Sequence, residues 1–156
     1  MNDDLKKKLK LKVSAIQNGT VIDHIPSENL FKVISILGLD NVKNQITFGA
    51  NFESQKLGSK AIIKISDKFF EDEEVNKIAL IAPHAKLNII KDYDVVEKKV
   101  VEVPDKVIGI VKCFNPKCIT NNEGIVTRFK VTSKSPLSLK CKYCEKVMTK
   151  DQIVIK

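Results

Sequence analysis

Four cysteines, the only ones in the chain, stand in one late stretch as Cys113-x4-Cys118 and Cys141-x2-Cys144. Two short-spaced pairs suit a tetrahedral ion, because each pair occupies one turn and two turns meet without straining either backbone. The pattern predicts a structural zinc site in which four thiolates fill the coordination sphere and leave no open position for water. Asn115-Pro116 supplies turn chemistry for the longer loop, and Cys141-Lys142-Tyr143-Cys144 reads as a knuckle whose N–H groups turn toward the sulfurs. Two disulfides are the competing reading. They are disfavoured because nothing near Met1 resembles a secretory signal and reducing compartments keep thiols free. A thioredoxin-like role for Cys141 and Cys144 calls for a preceding strand in a βαβ unit and no second cysteine pair.

Asp23-His24 is the chain's one adjacent carboxylate and imidazole. Neighbouring side chains on an extended segment point to opposite sides, so no acid–base dyad is expected, and binding polar groups of a ligand is the better reading. Lys60, Ile62 and Lys64 share one face of a strand, and Ala61, Ile63 and Ile65 the other. Two ammonium groups on one surface suit a polyphosphate, but period alone favours an ordinary solvated sheet face. There is no Ser-His-Asp arrangement, Gly-rich phosphate loop or His-Glu-x-x-His helix, so no catalytic machinery is visible.

The 156 residues, 43% apolar, suffice for one domain or two small ones with packed cores. No apolar run approaches the roughly 20 residues of a membrane helix. The formal charge of +8 points to an anionic partner, although four thiolates around one Zn2+ remove two units of it. The lysines are spread along the chain, aromatics make up 6% and Trp is absent, so nucleic-acid binding is not expected. Residues 1–12 carry Lys6, Lys7, Lys8, Lys10 and Lys12 around Leu5, Leu9 and Leu11, and read as a solvated arm.

The elements that must position these residues follow from apolar period. Residues 11–16 alternate as a strand, and Asn18-Gly19 turns it. Ser27 is a good N-cap for a helix whose core face is Leu30, Phe31, Ile34 and Leu37, closed by Gly38. Residues 45–51 and 60–66 read as strands joined by a polar loop. Glu71-Asp72-Glu73-Glu74 opens a second helix, favouring the positive end of its dipole; Val75, Ile78, Ala79 and Ala82 form its buried stripe and Pro83 ends it. Residues 87–90 and 95–103 are closing strands around a bend at Lys91-Asp92-Tyr93-Asp94. The order is that of a ferredoxin-like α/β sandwich with an extra strand. The period resets at Pro104-Asp105, so residues 1–104 and 105–156 are expected to be separate domains, the second small, all-β and metal-dependent, with strands over 107–112, 128–132, 137–140 and 152–155.

Several segments taken together carry a resemblance. Gly19-Thr20-Val21-Ile22-Asp23-His24-Ile25-Pro26, the stretch around Lys60 and Lys64, Ile81-Ala82-Pro83-His84-Ala85 with Asn88 beyond it, and Cys113-x4-Cys118 with Leu139-Lys140-Cys141-Lys142-Tyr143-Cys144-Glu145-Lys146 resemble the regulatory-chain family of aspartate carbamoyltransferase, nearly end to end. The resemblance implies a cytoplasmic, non-catalytic subunit. In that family regulatory chains pair as homodimers through their N-terminal domains, and the dimers bridge catalytic trimers through their zinc domains. Nucleoside triphosphates bind the N-terminal domain, with CTP as feedback inhibitor of pyrimidine biosynthesis, ATP as activator, and UTP with Mg2+ as a further effector. By matched position Lys60, Lys64 and Lys98 meet the triphosphate, with His24 and Asn88 near it and Asp23 facing the ribose. Ala15, Ile16, Val21, Ile90, Tyr93 and Val95 line the base and sugar pocket, and Cys113, Cys118, Cys141 and Cys144 hold zinc. Ile16 and Tyr93 are the expected discriminators of purine from pyrimidine, with the signal passing through Val103-Pro104. The rival reading is a zinc-ribbon nucleic-acid-binding protein, and an enzyme built on Asp23-His24 is more distant.

Overall fold

The structure, a computed structural model, describes residues 16–156. The strand expected over 11–16 therefore lies outside the described residues except for Ile16. Five strands, β1 (Gly19–Pro26), β2 (Ile46–Ser54), β3 (Gly58–Ser66), β4 (Lys86–Lys91) and β5 (Asp94–Val100), form one antiparallel sheet in the order β2-β3-β1-β4-β5. Two short helices, α1 (Leu30–Ile36) and α2 (Asp72–Asn76), follow β1 and β3. This is the ferredoxin-like order, with β5 as the added edge strand.

Alternation along the strands explains which face the helices cover. Ile22 and Ile25 of β1, Ala61, Ile63 and Ile65 of β3 and Leu87 of β4 pack with Leu30, Val33 and Leu37 of the first helical region and Val75, Ile78, Ala79 and Ala82 of the second. The predicted stripe of the second helix is thus the buried one. Its acidic start is held by the Glu71 N–H donating to Glu74 Oε1 at 3.2 Å, and a 3-10 turn at Lys77–Leu80 continues it. Gly38 closes the first helical region at φ 67, as expected of a C-terminal glycine.

Several expectations are corrected. Gly19 opens the central strand β1 instead of ending a turn, because Gln17 and Asn18 already make the bend and tie it to the sheet: the Asn18 carbonyl accepts from Asp67 N–H and the Gln17 carbonyl from Tyr93 N–H, both at 2.9 Å. Ser27 does not cap the helix; its hydroxyl accepts the Asn51 N–H at 3.0 Å, an amide freed by a register shift in β2. Phe31 is 70% exposed and stacks edge-on against Phe48, so only Leu30 and Leu37 of its predicted neighbours are fully buried. Strand β5 ends at Val100. Asp92 and Tyr93, at φ 52 and 70, form the tight β4–β5 turn whose twist suits a hairpin.

The cysteine-bearing half contains β6 (Lys106–Ile108), β7 (Val111–Lys112), α3 (Ile119–Asn122), β8 (Arg128–Lys134), β9 (Leu137–Cys141), β10 (Val147–Thr149) and β11 (Val154–Ile155). The strand expected over 107–112 is split by Gly109 at φ 73: β6 joins a β10-β9-β8-β6 sheet, and β7 pairs with β11. The last strand is shorter than expected because a 3-10 turn takes Lys150–Gln152. Val107, Val111, Phe129, Leu139 and Met148 gather with the cysteines in a second core. Leu80 is buried in that core, and Ile81 and Val103 touch both cores, so the end of the second helical region joins the linker in contacting both halves.

Gly19 is the tightest point of the central strand. At φ 142 it lies where L side chains are rare, and a Cβ there would run into the Ile65 carbonyl oxygen. Gly19→Ala is expected to lower stability by about 1–3 kcal/mol, read as a reduced urea midpoint. Gly124→Ala, whose Cβ meets open space, should shift the midpoint little.

Candidate functional site

The four Sγ atoms lie within 4.8 Å of one another, with Cys113–Cys144 and Cys118–Cys141 each at 3.7 Å. Tetrahedral ligation with Zn–S bonds of about 2.3 Å requires sulfurs about 3.8 Å apart. Disulfide sulfurs stand about 2.05 Å apart, and all four thiols are free. The residues therefore fit a four-coordinate ion and not two disulfides.

The turns are built as their sequences suggest. The Cys118 N–H donates to the Asn115 carbonyl at 3.0 Å, closing a turn with Pro116 in its second position, and the Lys117 N–H donates to Asn115 Oδ1. Asn121 from α3 reaches back to the carbonyls of Cys113 and Asn115 at 2.9 and 2.7 Å. In the second knuckle the Cys141 N–H donates to the Lys146 carbonyl and the Glu145 N–H returns to the Cys141 carbonyl. Burial pushes the Cys113 thiol up to about 12 and raises Cys141; at Cys144 burial is outweighed by the Lys146 N–H and Asn115, which draw it down to about 7. Clustered thiolates need a cation to offset their desolvation and mutual repulsion.

The face of the five-stranded sheet away from the helices holds the second cluster. Partners across an antiparallel ladder share a face, so the register lays Thr47, Lys64, Val21, Asn88 and Lys98 side by side across all five strands. One row along, Asp23 lies opposite Lys86; in the other direction Ile90 stands between Gly19 and Val95. Ile16, Val21, Ile62 and Ile90 pack together as an apolar floor. Val95 is 48% exposed, and Tyr93 sits on the rim, 65% exposed. Ala15 lies outside the described residues. Sequence reasoning did not assign Ile62 or Lys86 to the site; period two between Lys60 and Lys64 marked the face of Ile62, whereas Lys86 is found only through its pairing with Asp23.

The expectation that Asp23 and His24 point apart is overturned. Ile22 pairs with Ile63 and Ile25 with Ala61, so Asp23 and His24 together stand against the single residue Ile62 in a β-bulge. His24 takes φ 61 there; its N–H donates to Asp23 Oδ1 at 2.6 Å, and its Nδ1 lies 3.2 Å from the same oxygen, buried and without hydrogen-bond geometry. Lys60 Nζ reaches both carboxylate oxygens, at 3.0 Å from Oδ1 and 3.2 Å from Oδ2. Lys64 is 8% exposed, and burial lowers its pKa below the ordinary lysine value, so it is no freely solvated surface lysine.

Burial works to raise the Asp23 carboxyl, but Lys60 and the backbone N–H of His24 help to outweigh it, and it is held below the ordinary value. A depressed folded-state pKa contributes stability that is present above the unfolded value of about 3.9 and is lost as pH falls through the folded value. Asp23→Asn should therefore flatten the acid limb of stability, read as urea midpoints below about pH 4; an unchanged limb would show that the pair contributes nothing to folding.

Among the described residues no helix is long and apolar enough to cross a membrane. Residues 11–102 match the family model described as aspartate carbamoyltransferase regulatory chain, allosteric domain, and residues 105–154 the one described as its metal binding domain. Curated relatives named aspartate carbamoyltransferase regulatory chain include one from Parabacteroides distasonis, 58% identical over 97% of this chain and 98% of its own. Another, from Bacteroides fragilis, is 58% identical over 96% and 98%, and one from Thermococcus sibiricus is 57% identical over 93% and 96%. A regulatory chain is the non-catalytic subunit of its enzyme, and the cysteine cluster falls within the matched metal-binding domain. With both family models matched in order and full-length relatives at this identity, the chain belongs to the aspartate carbamoyltransferase regulatory-chain family.

Proposed function

We propose that this regulatory chain binds nucleoside triphosphates, CTP and ATP among them, on the open face of its five-stranded sheet and controls a catalytic chain through its metal-binding half. The observation that carries the reading is the single face that gathers Lys60, Lys64, Asn88 and Lys98 around the apolar floor of Ile16, Val21 and Ile90. Lysines supply charge for the phosphates, while the floor takes the base and sugar. Asp23 is already joined to Lys60. A ribose hydroxyl at Asp23 would leave Lys60 to divide its contacts between carboxylate and phosphate, which ties sugar recognition to phosphate recognition. UTP with Mg2+ belongs to the same reading.

The division into residues 1–104 and 105–156 is part of this proposal, as is homodimer formation through the first of them. Cys113, Cys118, Cys141 and Cys144 hold Zn2+, which supplies folding energy and no chemistry on substrate. Purine and pyrimidine present the same triphosphate to the same lysines, so regulation rests on the base side of the pocket, at Ile16 and Tyr93. An effector must bind the two quaternary states with different affinity, typically by about 1–3 kcal/mol. Leu80, Ile81 and Val103, packed against the second core, carry that difference alongside the Val103-Pro104 linker. The proposed location is cytoplasmic.

Calorimetric titration of the zinc-loaded chain with CTP and ATP tests the binding reading. Saturable binding is expected, and Lys98→Ala should weaken it about tenfold or more while the catalytic chain retains its activity. An unchanged nucleotide response in that variant removes Lys98 from the site. Withdrawal of zinc with a mercurial and chelator should unfold residues 105–156 and release the catalytic partner. An assembly that persists without metal would overturn the structural role of the ion.

A further inference from the structure

The four sulfurs of the cysteine cluster do not receive their hydrogen bonds in the same way. Cys113 accepts the Asn115 N–H, Cys141 the N–H groups of Tyr143 and Cys144, and Cys144 the N–H of Lys146 together with the Asn115 side chain. These donors belong to the turns that carry the cysteines, so folding of each knuckle supplies them. Cys118 stands at the boundary between its turn and α3, and the Asn121 N–H that follows it is taken by the Cys118 carbonyl at 2.9 Å. A hydroxyl reaches the Cys118 sulfur instead: Thr120 Oγ1 lies 3.1 Å from Sγ. Both residues are buried, Cys118 at 1% and Thr120 at 8% exposure. Among the described residues this is the one hydrogen bond of the Thr120 hydroxyl.

We propose that Thr120 is a positioning residue for the metal site: its hydroxyl donates a hydrogen bond to the Cys118 thiolate, orienting that ligand and strengthening retention of the ion. The inference rests on the reading that the four cysteines hold Zn2+, and it adds a residue outside the ligand set. Between a thiol and a hydroxyl either group can donate, so in the metal-free chain the direction of this bond is open. A metal-bound thiolate has no proton to give, and the hydroxyl must then be the donor. The acceptor is now charged, which makes the bond about twice as strong as one between neutral groups. The contact therefore favours the metal-bound state over the metal-free one instead of stabilising both alike. Four thiolates around one Zn2+ leave two negative charges in a buried cluster, and each donor at a sulfur disperses part of that charge. Burial of Thr120 keeps water from taking over the role of its hydroxyl. Filling space beside the sulfur would require only a methyl group there.

Thr120→Val and Thr120→Ser, made in the full-length chain, separate the hydroxyl from its packing. Valine keeps the branched shape and removes the donor, whereas serine keeps the donor and removes a methyl group. Competition for Zn2+ with a chromophoric chelator is expected to show affinity weakened about tenfold or more in Thr120→Val, with Thr120→Ser close to wild type. In the Co2+-loaded proteins the sulfur-to-cobalt charge-transfer band should move to longer wavelength in Thr120→Val alone, because a thiolate without its hydrogen bond gives up electron density more readily. Wild-type affinity together with an unmoved band in Thr120→Val overturns the proposal. A loss in Thr120→Ser as large as that in Thr120→Val also overturns it, since packing would then explain the effect. Should the valine variant fail to fold with Zn2+ present, Thr120→Ala, which removes the donor without placing a methyl group against the sulfur, replaces it in both assays. A wild-type chain that takes up neither Zn2+ nor Co2+ on its four thiolates would overturn the metal reading itself, and this inference with it.

Discussion

Everything in the five-stranded sheet depends on how β1 pairs with β3 on one side and β4 on the other. Side chains alternate along a strand, so a slip of one residue would exchange the two faces of any strand. With Ile22 held opposite Ile63 and Leu87, the apolar set turns to the helices, and by necessity Lys64, Val21 and Asn88 turn away from them. The candidate nucleotide face is thus the complement of the hydrophobic core. Burial of Ile22, Ile63 and Leu87, none more than 1% exposed, holds the lysines in place although none of them contributes to that packing.

One local irregularity changes what this face can do. A regular ladder at Asp23-His24 would send the two side chains to opposite sides of the sheet. The bulge spends one extra residue on β1, and the resulting left-handed turn at His24 brings its ring beside the carboxylate that Lys60 also holds. Three polar groups from two strands are thereby fixed together at the edge of an apolar floor. A floor of this kind suits a flat, uncharged surface, and the polar cluster would orient a ligand placed on it.

The second half of the chain solves a different problem. Its sheet is short, and its buried set is small enough that Cys113, Cys118 and Cys141 form a substantial part of it, with Cys144 packed against them. Clustered thiolates make that core costly unless a cation sits among them, so the ion and the packing are one cooperative unit. The two halves are not joined by the linker alone. Leu80 inserts into the metal-side core, and Ile81 and Val103 contact both, which gives displacement of the second helical region a direct route to the cysteine-bearing sheet.

Local chemistry made much of this legible beforehand. The cysteine pairs, the Asn115-Pro116 turn, the buried stripe from Val75 to Ala82, the αL glycine at Gly38 and the shared face of Lys60 and Lys64 each rest on neighbours within a few residues, and the amino-acid order by itself determined them. What depended on partners distant in sequence was not legible. Gly19 looked like a turn because its role as a strand residue comes from contact with the Ile65 carbonyl; Ser27 looked like a cap because Asn51 was not known to need its hydroxyl; Phe31 looked buried because the helix presents it to Phe48 at the margin of the core. Lys86 joined the site only through strand register, which sets it opposite Asp23. Register is a property of pairs of strands, and no single segment contains it, so the tertiary structure alone decided where those charges meet.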